Sequence, residues 1–262
     1  RFILLVFFIK YSYSIILGFH HRPGVFTENN FELLFLAILL IGYIHFFKKL
    51  NGFEAIILVS IFALSGSRSG AVSLFFIYFI YLFNWKYLKF KYFHYYILLT
   101  FSLAGLYWVL INRMPEFGGV ESIDRFKFLL IFFSEVKSWG LYEYLFGNPF
   151  MTVLHESSCN ELAYYSKLFS HKGDGTCYTV VLHSYILRGI LEHGLIGLAV
   201  IIFSVIKIAI NVGYHKRDIL ALVGVLLINS LSVSAFNSIF GVYALMIIFM
   251  LKNYMEQIHG KK

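Results

Sequence analysis

The chain has 262 residues, of which 59% are hydrophobic, 20% aromatic and only 14% charged, with a mean hydropathy of +0.75. Soluble domains carry roughly 25% charged residues, so the composition excludes an ordinary water-soluble module and points to an integral membrane protein. A net charge of +8 would favour nucleic acid in a soluble chain, but here the basic residues flank apolar runs, so topology accounts for them and no nucleic-acid partner is expected.

The apolar stretches approach the roughly 20 residues that cross the hydrocarbon core as helix, and they lack the alternation of barrel strands. The expected fold is all-α: a polytopic transmembrane protein with about eight spans, at 2–19, 31–47, 51–66, 70–85, 94–111, 189–210, 218–234 and 239–251. The chain opens at Arg1 with neither an initiating Met nor a signal-peptide pattern. It is therefore read as the carboxy-terminal part of a longer protein, with 1–262 forming a single integral membrane domain. Lys48 and Lys49, then Lys86, Lys89 and Lys91, then Lys207, Lys216 and Arg217, and finally Lys252, Lys261 and Lys262 all fall on one side, which the positive-inside rule makes cytoplasmic. The long hydrophilic segment 112–188 is then a large external loop.

In the first span Lys10 stands mid-helix without an evident role. Next comes HHRPGVFTENNFE, residues 20–32, where Pro23 and Gly24 turn the chain and Asn29 with Glu32 fits a helix start of the capping kind. The turn between the third and fourth spans, SGSRSG, leaves Arg68 as the one large group among small ones. At about 1.5 Å per residue, Arg68 lies about 28 Å above Lys49, Arg188 about 28 Å above Lys207, and Asn30 about 27 Å above Lys48. Arg22, Arg68 and Arg188 thus share the outer boundary. Any one of them could simply snorkel to headgroups. However, five of the seven arginines (Arg22, Arg68, Arg113, Arg125 and Arg188) are external while the inner clusters are nearly all lysine, and the guanidinium fork suits a phosphate-bearing ligand.

Within the external segment, RFKFLLIFFSEV sets Phe128, Leu129, Phe132 and Val136 at helical spacing, and it is too short to span; an interfacial helix is expected. Cys159 and Cys177, the two cysteines of the chain, both fall here and are candidates for a disulfide, whose loop closure is worth roughly 3 kcal/mol in the chain-entropy model. With His155 and His171 they give H-x3-C-x11-H-x5-C, which matches no compact zinc pattern, so no metal is expected. The next span is entered through LHSYILRGILEHGLIGL. His183 there has a side chain suited to take a proton from a hydroxyl. Ser184, Arg188 and Glu192 recur every four residues along one face, and a carboxylate inside the hydrocarbon calls for Arg188 as its partner. Gly189, Gly194 and Gly197 suit close packing.

Four pieces, RPGVFTENNFE, ALSGSRSGAV, DRF with YLFGNPF, and HSYILRGILEHGLIGL, together resemble the bacterial O-antigen polymerase and O-antigen ligase superfamily of polytopic, GT-C type glycosyltransferases, over roughly residues 20–200. The sequence departs from the family pattern at Thr27-Glu28-Asn29-Asn30 and at Ser184. The resemblance implies a metal-independent, cofactor-free enzyme of lipopolysaccharide or related polysaccharide biosynthesis in the bacterial inner membrane, with its active site facing the periplasm. Its donor would be an undecaprenyl-diphosphate-linked oligosaccharide. The acceptor would be a sugar hydroxyl on a lipid-linked repeat unit for a polymerase, or on lipid A core for a ligase, and a chain-length regulator protein is a further implied partner. His183 would be the catalytic base or acceptor-orienting group, and Arg68, Arg22, Arg125 and Arg188 the diphosphate-binding groups. A flippase for lipid-linked glycans is the rival class, but transporters concentrate charge near the midplane and the polar residues here gather at the outer boundary.

Overall fold

The structure, a computed structural model, describes residues 2–18, 23–26, 28–47, 52–82, 100, 124–170 and 173–259. Ten α-helices follow one another among these residues: α1 Phe2–Ile16, α2 Asn29–Phe47, α3 Gly52–Leu64, α4 Arg68–Leu82, α5 Asp124–Val136, α6 Leu141–Phe146, α7 Glu156–Glu161, α8 Tyr185–Asn211, α9 Lys216–Ser230 and α10 Ile239–His259. Two 3-10 turns, Ala163–Leu168 and Thr179–Val181, precede α8. An antiparallel bridge between Val153 and Tyr178 is the sole β pairing among the described residues, so the all-α expectation holds.

The expectation of about eight spans does not. Among the described residues, α2 and α8 alone are long and apolar enough to cross a membrane; the apolar stretches of α1, α3, α4 and α10 are shorter, and 94–111 falls almost entirely outside the described residues. The physical reason is that turns consume the ends of the apolar runs. Gly18 (φ 66°) ends α1 and Gly66 (φ 61°) follows α3, both in the left-handed region that glycine adopts without strain. The 13 residues of α3 reach only about 20 Å. The two long helices also differ in surroundings: half of the apolar window of α2 is buried within the protein, against 11% of that of α8.

Two compact units make up the chain: the first comprises 1–115, 206–229 and 235–262, the second 116–205 with 230–234. In the first unit, α2 is apolar on every face and lies inside, with Leu33, Leu34, Ile38 and Ile41 fully buried beside Ile61, Phe62, Ile77 and Leu222. Small residues set the approach distances. A Cβ on Gly42 would come within 2.6 Å of Ile248 on α10, and one on Gly224 within 2.0 Å of the Phe76 ring on α4.

Polar residues of this unit collect where helix ends meet. At one end the buried Asp218, in the first turn of α9, accepts from His45 Nδ1 of α2 at 2.6 Å and from the Tyr81 hydroxyl of α4 at 2.6 Å. The Tyr214 ring stacks on His45 at 4.3 Å, and Arg217 donates to the carbonyls of Ile80 and Tyr81. A carboxylate is tolerated there only because its donors come from two other helices. Asp218→Ala is expected to destabilise the protein by about 3 kcal/mol, because it strands a buried histidine and hydroxyl, whereas Asp174→Ala at an exposed loop should be near neutral; denaturant unfolding in detergent measures both.

In the second unit, the described residues of segment 112–188 fold into helices and turns around a core of their own. The buried face of α5, with Phe128, Ile131, Phe132 and Val136, packs against Leu154, Leu162, Phe169, Val181, Leu182, Leu187 and Leu191. The helix expected over 125–136 is present; its periodic face meets the unit's own core, while Leu130 and Phe133 on the other side are exposed. A second carboxylate, Glu135 of α5, accepts from the His155 backbone N–H at 3.0 Å, from His155 Nδ1 at 2.8 Å and from the Ser158 hydroxyl at 2.5 Å, tying α7 to α5.

Helix α8 is broken at Gly194 (φ 64°, ψ −174°). Gly147, itself at φ 74°, lies backbone to backbone against the break: a Cβ on Gly194 would fall 2.2 Å from the Leu145 carbonyl oxygen, and one on Gly147 2.5 Å from the Gly194 nitrogen. The Asn148 N–H donates to the Leu191 carbonyl at 2.7 Å, satisfying a helical acceptor at the break. Gly194→Ala meets both a left-handed backbone and a backbone clash and should cost about 3 kcal/mol or more. Gly52→Ala, with open space around it, should change little. Thermal melts of the two variants test the contrast.

Candidate functional site

The predicted site residues divide between the two units. In the first, the start of α2 and the turn before α4 are sewn together. Asn29 Nδ2 donates to the Ser65 carbonyl at 2.8 Å, and the Ser67 hydroxyl donates to Asn30 Oδ1 at 2.7 Å. Ser67 Oγ also accepts the Gly70 N–H at 3.1 Å, which makes Ser67 the N-cap of α4 and fixes Arg68 as the first helical residue. Gly70 lets Leu33 pack close: a Cβ here would lie 2.7 Å from the end of the Leu33 side chain. Arg68 is half-buried on this rigid turn, and its guanidinium has no ion pair or hydrogen bond among the described residues.

Helix α2 starts at Asn29, as the Asn29 and Glu32 pattern suggested. The fully buried carboxylate of Glu32 reaches back to accept from the Val25 N–H at 2.8 Å, the Phe26 N–H and the Tyr11 hydroxyl at 3.0 Å. The short loop after Pro23 is thereby held against the start of α2. Arg22, along with His20 and His21, lies outside the described residues.

In the second unit, His183 sits just before α8. Its exposed ring is held edge-on by Phe128 at 6.0 Å and Tyr165 at 5.8 Å, and neither ring nitrogen has a hydrogen-bond partner among the described residues. The Ser184 hydroxyl donates to the Ser230 carbonyl at 3.1 Å, and Arg125 Nε donates to the Ser232 hydroxyl at 3.0 Å. One short segment, 230–232, therefore anchors both the start of α8 and the guanidinium of α5. Ser230 Oγ is buried there without a partner among the described residues. The Tyr164 ring lies tilted against Tyr165 at 4.5 Å, and Lys127 Nζ lies over the Tyr164 ring at 4.6 Å.

Arg188 pairs with Glu192, as the i, i+4 spacing predicts, at 3.2 Å. The other oxygen of Glu192 accepts the Thr179 hydroxyl at 2.6 Å. Glu192 is buried in this unit's own protein surround; the straight-helix depth placed it in the hydrocarbon, but the α8 break at Gly194 interrupts that ruler. Arg188 engages through Nε, and the carboxylate fixes its direction; its two terminal nitrogens have no hydrogen bond among the described residues.

Cys159 and Cys177, the candidates for a disulfide, are both free thiols in this structure. Thr179, Ser232, Phe128 and Tyr165 were not singled out in sequence as site residues. The one signal that could have found Thr179 is that a buried carboxylate at Glu192 needs a second donor.

Glu192→Ala would leave Arg188 and Thr179 unpaired in a buried setting and should destabilise the second unit by about 3 kcal/mol. Glu192→Gln, which keeps the volume and one acceptor oxygen, should cost less. Limited proteolysis within 124–182 reads the difference. The chain matches no family model, no curated protein and no solved structure.

Proposed function

We propose that this chain is a metal-independent, membrane-embedded glycosyltransferase that polymerises a surface polysaccharide, taking its donor from an undecaprenyl-diphosphate carrier at the outer face of the bacterial inner membrane. The single observation that carries the reading is the state of His183: an exposed imidazole held by two aromatic rings, with neither nitrogen engaged among the described residues, at the head of a helix whose arginine is held by a buried carboxylate. The four ordered motif pieces supply the family context, and the apolar helices supply its membrane part.

In this reading an acceptor hydroxyl oxygen attacks the anomeric carbon of the donor glycan and the bond from that carbon to the lipid diphosphate breaks. The hydroxyl proton passes to His183, and the electron pair of the broken bond leaves on the diphosphate. Charge growing on that leaving group needs cationic donors. Arg68, Arg188, Arg125 and Arg22 are the groups proposed for it, Arg68 foremost because it has no partner among the described residues. Thr179 and Glu192 act as positioning residues for Arg188. Polymerase is preferred to ligase on the resemblance of the LHSYILR element.

The test is complementation of a strain lacking the gene with full-length protein. His183→Ala and Arg68→Ala should each reduce long-chain polysaccharide at least about 100-fold at unchanged protein level. Retention of long chains by either variant would overturn its assigned role. In the deletion strain, single-repeat polysaccharide supports a polymerase. Bare core with full chains left on the lipid carrier would instead identify a ligase.

A further inference from the structure

Cys159 and Cys177 approach each other from two different parts of the second unit. Cys159 lies on α7, which Glu135 ties to α5, and Cys177 sits on the strand-like segment that pairs with 152–154: the Leu154 N–H donates to the Cys177 carbonyl at 2.9 Å and the Thr179 N–H to the Thr152 carbonyl at 3.1 Å. The Cys159 thiol points at the carbonyls of Leu154, at 3.7 Å, and Cys177, at 4.0 Å. Between the two cysteines runs the segment that carries Tyr164 and Tyr165, the ring that walls His183.

We propose that Cys159 and Cys177 are a redox pair whose disulfide staples the 159–177 segment and thereby fixes the Tyr165 wall against His183. The inference does not depend on the reaction His183 serves. Two other observations give the order of events. Cys159 is the more accessible of the two, and Cys177 is only 2% exposed. Burial first, then the hydrogen bond from Cys159 and the charges of Cys159 and Glu135, push the Cys177 thiol well above the ordinary thiol range, so Cys177 is a poor initial nucleophile.

Cys159 therefore attacks first, as thiolate, on a sulfur of an external disulfide oxidant of the protein-disulfide or glutathione-disulfide class. A mixed disulfide forms and the oxidant's other half leaves as a thiol. Cys177 then displaces the remaining half, releasing a second thiol. The protein loses two electrons and two protons overall, and the oxidant disulfide becomes two thiols.

The experiment uses the full chain, extracted from membranes in the presence of iodoacetamide and unfolded before mapping. The expected result is a peptide containing Cys159 linked to one containing Cys177, with neither alkylated until dithiothreitol is added. Purified reduced protein exposed to glutathione disulfide should form the same link, and Cys159→Ser should form none. Trypsin cleavage after the exposed Lys167 should be about tenfold slower in the linked protein than in the same protein reduced. Full alkylation of both cysteines in unreduced, unfolded protein, together with no linking by glutathione disulfide, would overturn the pair. Linkage without any change in cleavage rate would overturn the staple.

Discussion

A carboxylate withdrawn from water needs an answer from every oxygen, and at Glu192 that requirement organises the second unit. One oxygen takes Arg188 from the preceding turn of the same helix; the other takes Thr179 from the 3-10 turn before it. The segment leading to α8 is thus bound to the helix it introduces, and His183 stands between the two points of attachment. Two residues beyond Glu192 the helix breaks at Gly194, and the freed space admits the backbone of Leu145 to Asn148. The glycine pair, the bond from Asn148 to Leu191 and the carboxylate together make α8 a fixed post on which the histidine and arginine are mounted.

The same logic recurs with different donors. Glu32 gathers a loop and a tyrosine, Asp218 gathers the ends of α2 and α4, and Glu135 gathers the start of α7. Each anion is met by donors from separate parts of its own unit, so each works as a tie rather than as an isolated ion. In a helical protein whose apolar surfaces face one another with little directional preference, such ties fix which helix ends meet.

What the sequence made legible is tied to local spacing. The Arg188 and Glu192 pair follows from four residues on a helix, and the buried face of α5 follows from the recurrence of Phe128, Phe132 and Val136. What that face packs against was not legible, because Leu162 and Leu182 reach it through tertiary folding that no periodicity records. Ser232 meets Arg125 across more than a hundred residues of chain. Hydropathy extended the first and third spans past their helix ends because it averages over the turns at Leu17–Gly18 and Ser65–Ser67 without registering them. The Gly194 break was legible only as a small residue: glycine permits both close packing and a left-handed turn, and the sequence does not say which is used.

The cations of the two units sort by whether the protein already answers them. Arg188 has Glu192, Arg125 has Ser232, Arg217 has two carbonyls and Lys127 has an aromatic ring. Arg68 has none of these among the described residues, although its turn is among the most hydrogen-bonded stretches of the first unit. The scaffold there is rigid and the charge it carries is left open. A fold that needed only a boundary charge could place a flexible lysine, as the inner clusters do; a guanidinium held at its backbone by a capped, asparagine-braced turn loses less freedom when an anion docks. His183 repeats the pattern with a neutral partner set: two rings fix the plane of the imidazole and leave its nitrogens unengaged among the described residues. Rigid mounting with open polar atoms is the arrangement expected where the missing partner is a ligand.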